Sequence, residues 1–200
     1  MSLARIVPLD APFDSKVTET FARFLPPGME SLNLFRTQAH NPRVLQRMFA
    51  GSLLDQGSID QRTRELVILR TCVRCGCEYE WGVHVTLFAK SAGLSDVDVA
   101  ATLADEGSPA LPDADALLFR MVDQLHVTST IDDGLWAELG RHYSSAQILE
   151  LIALTGNYHA ISFVANAARV DLESFAPRFV NGDSKGQAAS SNQKRKLTRN

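Results

Sequence analysis

Residues 65–84 read Glu-Leu-Val-Ile-Leu-Arg-Thr-Cys-Val-Arg-Cys-Gly-Cys-Glu-Tyr-Glu-Trp-Gly-Val-His, and this stretch constrains the chain more than any other. An apolar run from Leu66 to Val73 is followed directly by a thiol, a carboxylate and an imidazole at Cys77, Glu80 and His84. Offsets of three and four residues stack side chains on one face of an α-helix, so these three groups form a single stripe. Gly76 breaks the chain just before them. The break places Cys77 near the positive N-terminal end of a new helix, where a thiol is expected to lose its proton more readily. With Trp81 inside the stripe and Leu87 and Phe88 beyond it, the polar groups are expected to line an apolar pocket with perturbed proton affinities. A structural reading stands beside this one. Cysteine is among the most buried residue types, and an i,i+4 Glu–His pair is common on solvated helix faces.

The rest of the chain reads as helices. Val17, Phe21 and Phe24 recur at helical spacing before Pro26-Pro27 stops the segment. Asn41 can cap a helix with Pro42 in its first position, running through Val44, Leu45, Met48 and Phe49 toward Gly57. Ser58 with Gln61, Ser95 with Asp98, Thr130 with Asp133 and Ser144 with Gln147 resemble capping boxes. They predict helices near 60–74, 96–104, 131–141 and 145–169, and Leu117, Leu118, Met121, Val122 and Leu125 predict another over 113–127. Strand alternation bounded by turns is absent, so the expected class is all-α. In the last helix Asn157, Tyr158 and His159 interrupt an apolar run, and Asn166 follows Tyr158 by two turns. Tyr158 and Asn166 would then share a face. They could line the pocket or be satisfied within the core. His40, His126 and His142 fall at loops or helix ends and suggest no role.

Composition narrows the classes. No uninterrupted apolar run reaches the ~20 residues of a membrane span, and Met1-Ser-Leu-Ala-Arg-Ile-Val-Pro lacks a signal-peptide layout. Three cysteines between 72 and 77 do not make a disulfide framework, so a reducing cytoplasm is expected. Residues 182–200 carry five basic residues and one acid, read as a disordered polar tail. The remainder holds 15 basic and 22 acidic residues, a body of −7, which argues against nucleic acid as the main partner. The expected layout is an N-terminal arm with a helix over 1–32, a helical domain over 33–181 and the tail over 182–200.

From Asn33 to Glu173, and most specifically from Arg64-Glu65-Leu66 to Gly93-Leu94, the chain resembles the carboxymuconolactone decarboxylase and AhpD-like superfamily of small, oligomeric, all-helical proteins. In the alkylhydroperoxidase branch a glutamate precedes a Cys-x-x-Cys-x-x-x-His motif by twelve residues. Glu65, Cys77 and His84 fall on the glutamate, first cysteine and histidine, but Glu80 holds the place of the second cysteine. The decarboxylase branch carries Glu-x-x-x-His on this helix, matched by Glu80 and His84, with a tyrosine and downstream asparagine resembling Tyr158 and Asn166. The resemblance therefore implies a hybrid site. Peroxidase chemistry needs a thiol to resolve a sulfenic acid, and Glu80 cannot do so. Cys72 and Cys75 form a Cys-x-x-Cys, but Tyr79 stands where its histidine belongs.

The expected function is cofactor-free acid–base catalysis, decarboxylase or lyase in type, on a small carboxylated lactone or related aromatic-catabolism intermediate. His84 would move the proton, Glu80 would orient or balance it, Glu65 would extend the relay, and Cys77 would line the site beside Trp81, Tyr158 and Asn166. Alternatives are an antioxidant thiol peroxidase using Cys77 and a non-catalytic oligomeric scaffold. A zinc reading of Cys72, Cys75, Cys77 and His84 suits the softness of the ligands, but helical geometry scatters 72, 75 and 77, and neither metal nor membrane nor nucleic acid is expected as a partner. Phe35, Phe49, Phe88, Trp136 and Phe163 lie on different elements, which together with the resemblance predicts a homo-oligomer, a trimer or hexamer with a dimer also allowed. Light scattering of dilute protein should give a multiple of the 21.9 kDa chain mass. A monomer mass would defeat the expectation.

Overall fold

The structure is a computed structural model that describes residues 4–104 and 112–179; the predicted basic tail lies outside the described residues. Helices are the only regular secondary structure among the described residues, with no strand among them. We number the helices α1 (Ser15–Phe24), α2 (Asn33–Gln38), α3 (Pro42–Ala50), α4 (Gln61–Arg74), α5 (Glu78–His84), α6 (Asp96–Thr102), α7 (Asp113–Thr128), α8 (Asp133–His142) and α9 (Ser145–Ala168), with a π-helical turn, Val85–Ala89, continuing α5.

Capping residues set most of these boundaries. Ser95 with Asp98 and Ser144 with Gln147 form reciprocal capping boxes as expected. Two other starts are displaced by two residues. Asp60 rather than Ser58 caps α4 by accepting from the Thr63 N–H at 2.7 Å, and Asp132 rather than Thr130 caps α8 through the Leu135 N–H at 2.9 Å. A carboxylate accepts more strongly than a hydroxyl at the positive end of a helix. Ser58 instead donates its N–H and hydroxyl to Glu150 of α9. α3 stops at Ala50, well short of Gly57.

α4 is the hub. Leu66, Val67, Ile68, Leu69 and Cys72 are all fully buried, and the helix packs against α5, α6, α7 and α9. α9 is 24 residues long and apolar enough, by length and composition, to cross a membrane. Here it serves as a core helix. Ile148, Leu151, Leu154, Tyr158, Ile161, Ala165 and Ala168, spaced three or four apart, are buried in the main core. α1 and α3 close a smaller second cluster around Val17, Ala39 and Leu45, with Phe21, Phe35 and Phe49 packed on it. Of the aromatics expected at a subunit interface, Phe35 and Phe49 are thus used within the protomer, whereas Trp136 and Phe163 remain 48% and 64% exposed.

A buried ion pair locks the hub to its neighbours. The Arg70 guanidinium of α4 meets Asp123 of α7 through two parallel bonds, Nε to Oδ1 at 2.8 Å and Nη2 to Oδ2 at 2.6 Å. Its Nη1 donates to the carbonyls of Thr102 and Ala104 at the end of α6, and Phe119 lies under the guanidinium. Four of the five N–H donors of Arg70 are therefore used. The segment after α9 passes so close over α5 that a Cβ on Gly82 would stand 2.5 Å from the Pro177 carbonyl oxygen, which explains a glycine inside that helix. Because removing one partner strands a buried charge, Asp123→Ala should cost about 3–5 kcal/mol of unfolding free energy. Urea denaturation followed by circular dichroism measures this, and a loss below about 1 kcal/mol would show that Arg70 finds another acceptor.

Candidate active site

The site is assembled by α4, α5 and α9. α4 ends at Cys75, Gly76 takes the left-handed conformation at φ +60°, and Cys77 becomes the N-cap of α5. The Cys77 N–H is held by the Cys72 carbonyl at 2.8 Å, a C-terminal closure of α4 that needs such a residue between the two helices. α5 then presents Glu80 and His84 from one face, as the spacing predicts.

His84 is the centre. Its Nδ1 lies 2.7 Å from Oε2 of Glu65, which projects from α4. A carboxylate only accepts, so Nδ1 carries the proton in that bond. The other ring nitrogen, Nε2, faces Tyr158 Oη at 3.0 Å and Glu80 Oε2 at 3.6 Å. Glu65 is 1% exposed and His84 3%, and Glu80, Tyr158 and Cys77 are also buried. The Arg64 Nε reaches Glu65 Oε1 at 3.2 Å, so the line runs from guanidinium to carboxylate to imidazole to phenol. Phe88, at the π-helical turn, packs on the His84 ring at a centroid distance of 4.9 Å.

Burial dominates the electrostatics. Glu80 is raised above the ordinary carboxylate value by desolvation, against a smaller opposing pull from His84. Tyr158 is raised well above its ordinary value, first by burial and then by the charges of Glu80 and Glu65. The Cys77 thiol is pushed up to about 12, by burial and then by Glu80. This corrects the expectation that a helix N-terminus would make Cys77 acidic. The N-cap thiol makes no capping hydrogen bond, and desolvation outweighs the field of the short α5.

The other sequence candidates fall into place differently. Trp81 points away from His84 and donates its indole N–H to Thr102 Oγ1 at 3.0 Å, with Phe179 against its ring. Asn166 donates its amide to the Cys75 carbonyl at 2.9 Å and so ties α9 to the end of α4, two turns from Tyr158. The four proposed zinc ligands do not converge. His84 is held by Glu65 and Tyr158, Cys72 is buried in the core, and Cys75 turns toward His126 at 4.0 Å. A cleft of about 280 Å³ between α3 and α9, lined by Arg47, Met48, Asn157 and Ile161 among others, includes none of the His84 group.

The carboxymuconolactone decarboxylase family profile matches residues 41–119, which contain Glu65, Cys77, Glu80 and His84. Solved structures of the same fold extend the likeness over most of the chain. A peroxidase-related protein from Silicibacter sp. TM1040 superposes with a TM-score of 0.73 at 14% identity, covering 87% of this chain and 95% of its own. The alkylhydroperoxidase AhpD core of a peroxidase-related protein from Ralstonia eutropha JMP134 gives 0.70 at 15% identity, covering 84% and 93%. Residues 41–119 thus resemble the carboxymuconolactone decarboxylase family, and most of the chain shares its fold with AhpD-like peroxidase-related proteins. A third structure of this fold, the debrominase Bmp8 in a cysteine-to-alanine variant complexed with 2,3,4-tribromopyrrole, gives a TM-score of 0.66 at 17% identity over 85% of this chain and 92% of its own. No curated protein matches the chain. Proteins that share this helical fold thus include peroxidase-related proteins and a debrominase.

The raised Glu80 carboxyl makes a stability prediction. In the unfolded chain it ionises near about 4.3, whereas the folded state favours its protonated form. Folding therefore takes up a proton between the two values, and stability falls as pH rises through that window. Glu80→Gln keeps the shape without the buried charge. It should melt a few degrees above wild type at pH 8, with the gap closing near pH 4. Scanning calorimetry at both pH values tests this, and a gap independent of pH would contradict it.

Proposed function

We propose that the chain is a cofactor-free acid–base enzyme, decarboxylase-like in its chemistry, acting on a small ring compound such as a carboxylated lactone. The observation that carries this reading is the His84 imidazole fixed between the Glu65 carboxylate on Nδ1 and the Tyr158 hydroxyl and Glu80 carboxyl on Nε2. The Glu65 bond sets the tautomer, so Nε2 is the ring atom free to take or give a proton. Glu65 also stabilises the imidazolium when His84 is protonated. Tyr158, held well above its ordinary value, keeps its proton and is suited to donate a hydrogen bond to an enolate oxygen, leaving proton transfer to His84.

The chemistry balances without a further reactant. As the carboxylate carbon–carbon bond breaks, its electron pair passes into the adjoining carbonyl system and carbon dioxide leaves. The resulting enolate then takes a proton on carbon from the protonated Nε2 of His84, which is restored from solvent. Nothing in this sequence requires Cys77 to ionise. Its buried, reluctant thiol fits a wall of the site better than a resting nucleophile.

A second reading, thiol chemistry at Cys77, draws on one observation. The thiol is buried at the N-cap of α5, one turn before the Glu80 carboxyl and two turns before the His84 imidazole. One preparation assayed both for turnover of muconolactone-type acids and for hydroperoxide consumption with a dithiol reductant separates the two. Under the acid–base reading, His84→Ala lowers turnover at least about 100-fold with helical content unchanged, and Cys77→Ser stays within about tenfold of wild type. Loss of all activity in Cys77→Ser, together with oxidation of Cys77 ahead of Cys72 and Cys75 on peroxide treatment, would replace it with the thiol reading.

A further inference from the structure

A second cluster of reactive side chains lies on the other side of Gly76. Cys75 closes α4, His126 stands in the last turn of α7, and His159 in the middle of α9; all three are half-exposed. The Nδ1 of His126 is 2.9 Å from Nε2 of His159, and the Cys75 Sγ is 4.0 Å from the same His126 nitrogen. The three potential ligand atoms all lie within 4.8 Å of one another. We propose that Cys75, His126 and His159 form a binding site for a borderline-soft divalent metal ion, zinc(II) in type, separate from the His84 site.

The argument starts with the His159 ring. Its Nδ1 lies 2.9 Å from the Thr155 carbonyl oxygen, and a carbonyl only accepts, so Nδ1 carries the proton. In the neutral ring the lone pair is then on Nε2, aimed at His126. Metal-binding imidazoles are commonly oriented by such a bond from the distal nitrogen to a backbone carbonyl. In the absence of metal, one proton on His126 Nδ1 can satisfy the pair, and it is this proton that a cation would replace.

The dimensions fit. In a tetrahedral centre with Zn–N of about 2.0–2.1 Å and Zn–S of about 2.3 Å, ligand atoms stand roughly 3.3–3.6 Å apart. The two histidine nitrogens would separate by a few tenths of an ångström, and the thiol would approach His126 by a similar amount and His159 by up to about 1 Å. Two imidazoles and one thiolate are a donor set that favours zinc over magnesium or calcium. With three protein ligands the fourth position faces solvent, beside the exposed Phe163 ring that packs on His159. Arg74 and Asp123 border the site; Asp123 is shared between Arg74 and Arg70, so this corner carries one net positive charge, which a Cys75 thiolate would offset.

Sequence spacing cannot show this cluster. Cys75 precedes His126 by 51 residues, and His126 precedes His159 by 33. Only the packing of α4, α7 and α9 brings them together.

Cobalt(II) is the probe, because a thiolate ligand gives it a near-ultraviolet charge-transfer band and a tetrahedral site gives intense visible bands. Chelator-treated, reduced protein should bind one Co(II) per chain with both signatures, and zinc(II) should displace it. Cys75→Ser should abolish the charge-transfer band. His126→Ala and His159→Ala should each weaken affinity at least about tenfold with far-ultraviolet circular dichroism unchanged, whereas His142→Ala, on the exposed end of α8, should match wild type. A second measurement uses the wild-type chain alone: zinc(II) should slow alkylation of Cys75 by iodoacetamide, read by peptide mass spectrometry. Absence of stoichiometric Co(II) binding, a charge-transfer band that survives Cys75→Ser, or equal Cys75 alkylation with and without zinc(II) would each overturn the assignment.

Discussion

A carboxylate carried into the middle of a helical core must be met by charge or by hydrogen-bond donors, since an unpaired buried ion costs more than packing can return. Glu65 faces this constraint between fully buried neighbours on α4, and its oxygens are met by Arg64 at 3.2 Å and His84 at 2.7 Å. That requirement fixes where α5 can lie. α5 must bring His84 to Glu65 in one rotamer and one tautomer, and Tyr158 on α9 then completes the other side of the ring. The same bond that satisfies a buried charge therefore orients the imidazole, so the structural and chemical roles of Glu65 are one interaction. A frame that held His84 less firmly would leave Glu65 uncompensated, which couples site geometry to fold stability.

The π-helical turn after His84 belongs to this arrangement. α5 is only seven residues long, and a regular continuation would keep Phe88 directly above His84 on the helix face. The wider turn over Val85–Ala89 keeps the Phe88 ring in contact with the imidazole at a tilt of 36° while the chain bends away. Such turns recur at functional sites because they re-aim one or two side chains without ending the helix. At the opposite end of α5, Glu78 takes the Phe179 N–H, and Tyr79 and Asn33 share Glu173. The segment after α9 is thereby fastened over α5, which helps to keep water from Glu80 and Cys77.

Much of this was legible in the chain, and the parts that were not have physical reasons. Cys77, Glu80 and His84 announce themselves because helical spacing is local, and Glu65 enters through the resemblance. The capping boxes at Ser95 and Ser144 read correctly because both partners lie within one turn. α2 was missed because its six residues have no side-chain cap; its Asn33 N–H is met instead by Glu173, 140 residues away. Ser58 looked like a cap because its true partner, Glu150, is 92 residues distant. The acidity expected of Cys77 failed for a related reason. A helix terminus is visible in sequence, but the depth at which tertiary packing buries it is not, and here desolvation is the larger effect.

Cys75 and Cys77 are two residues apart yet serve different surroundings, and Gly76 is the cause. With φ at +60° it reverses the chain between the end of α4 and the start of α5, so one thiol turns inward beside Glu80 and the other outward toward His126. The buried Ser162 hydroxyl of α9 has no full hydrogen-bond partner, and its weak contacts are to the thiols of Cys75 and Cys77. Substituting Gly76 would disturb both thiols at once, because an L-residue there meets the cost of the left-handed conformation in the only residue that separates them.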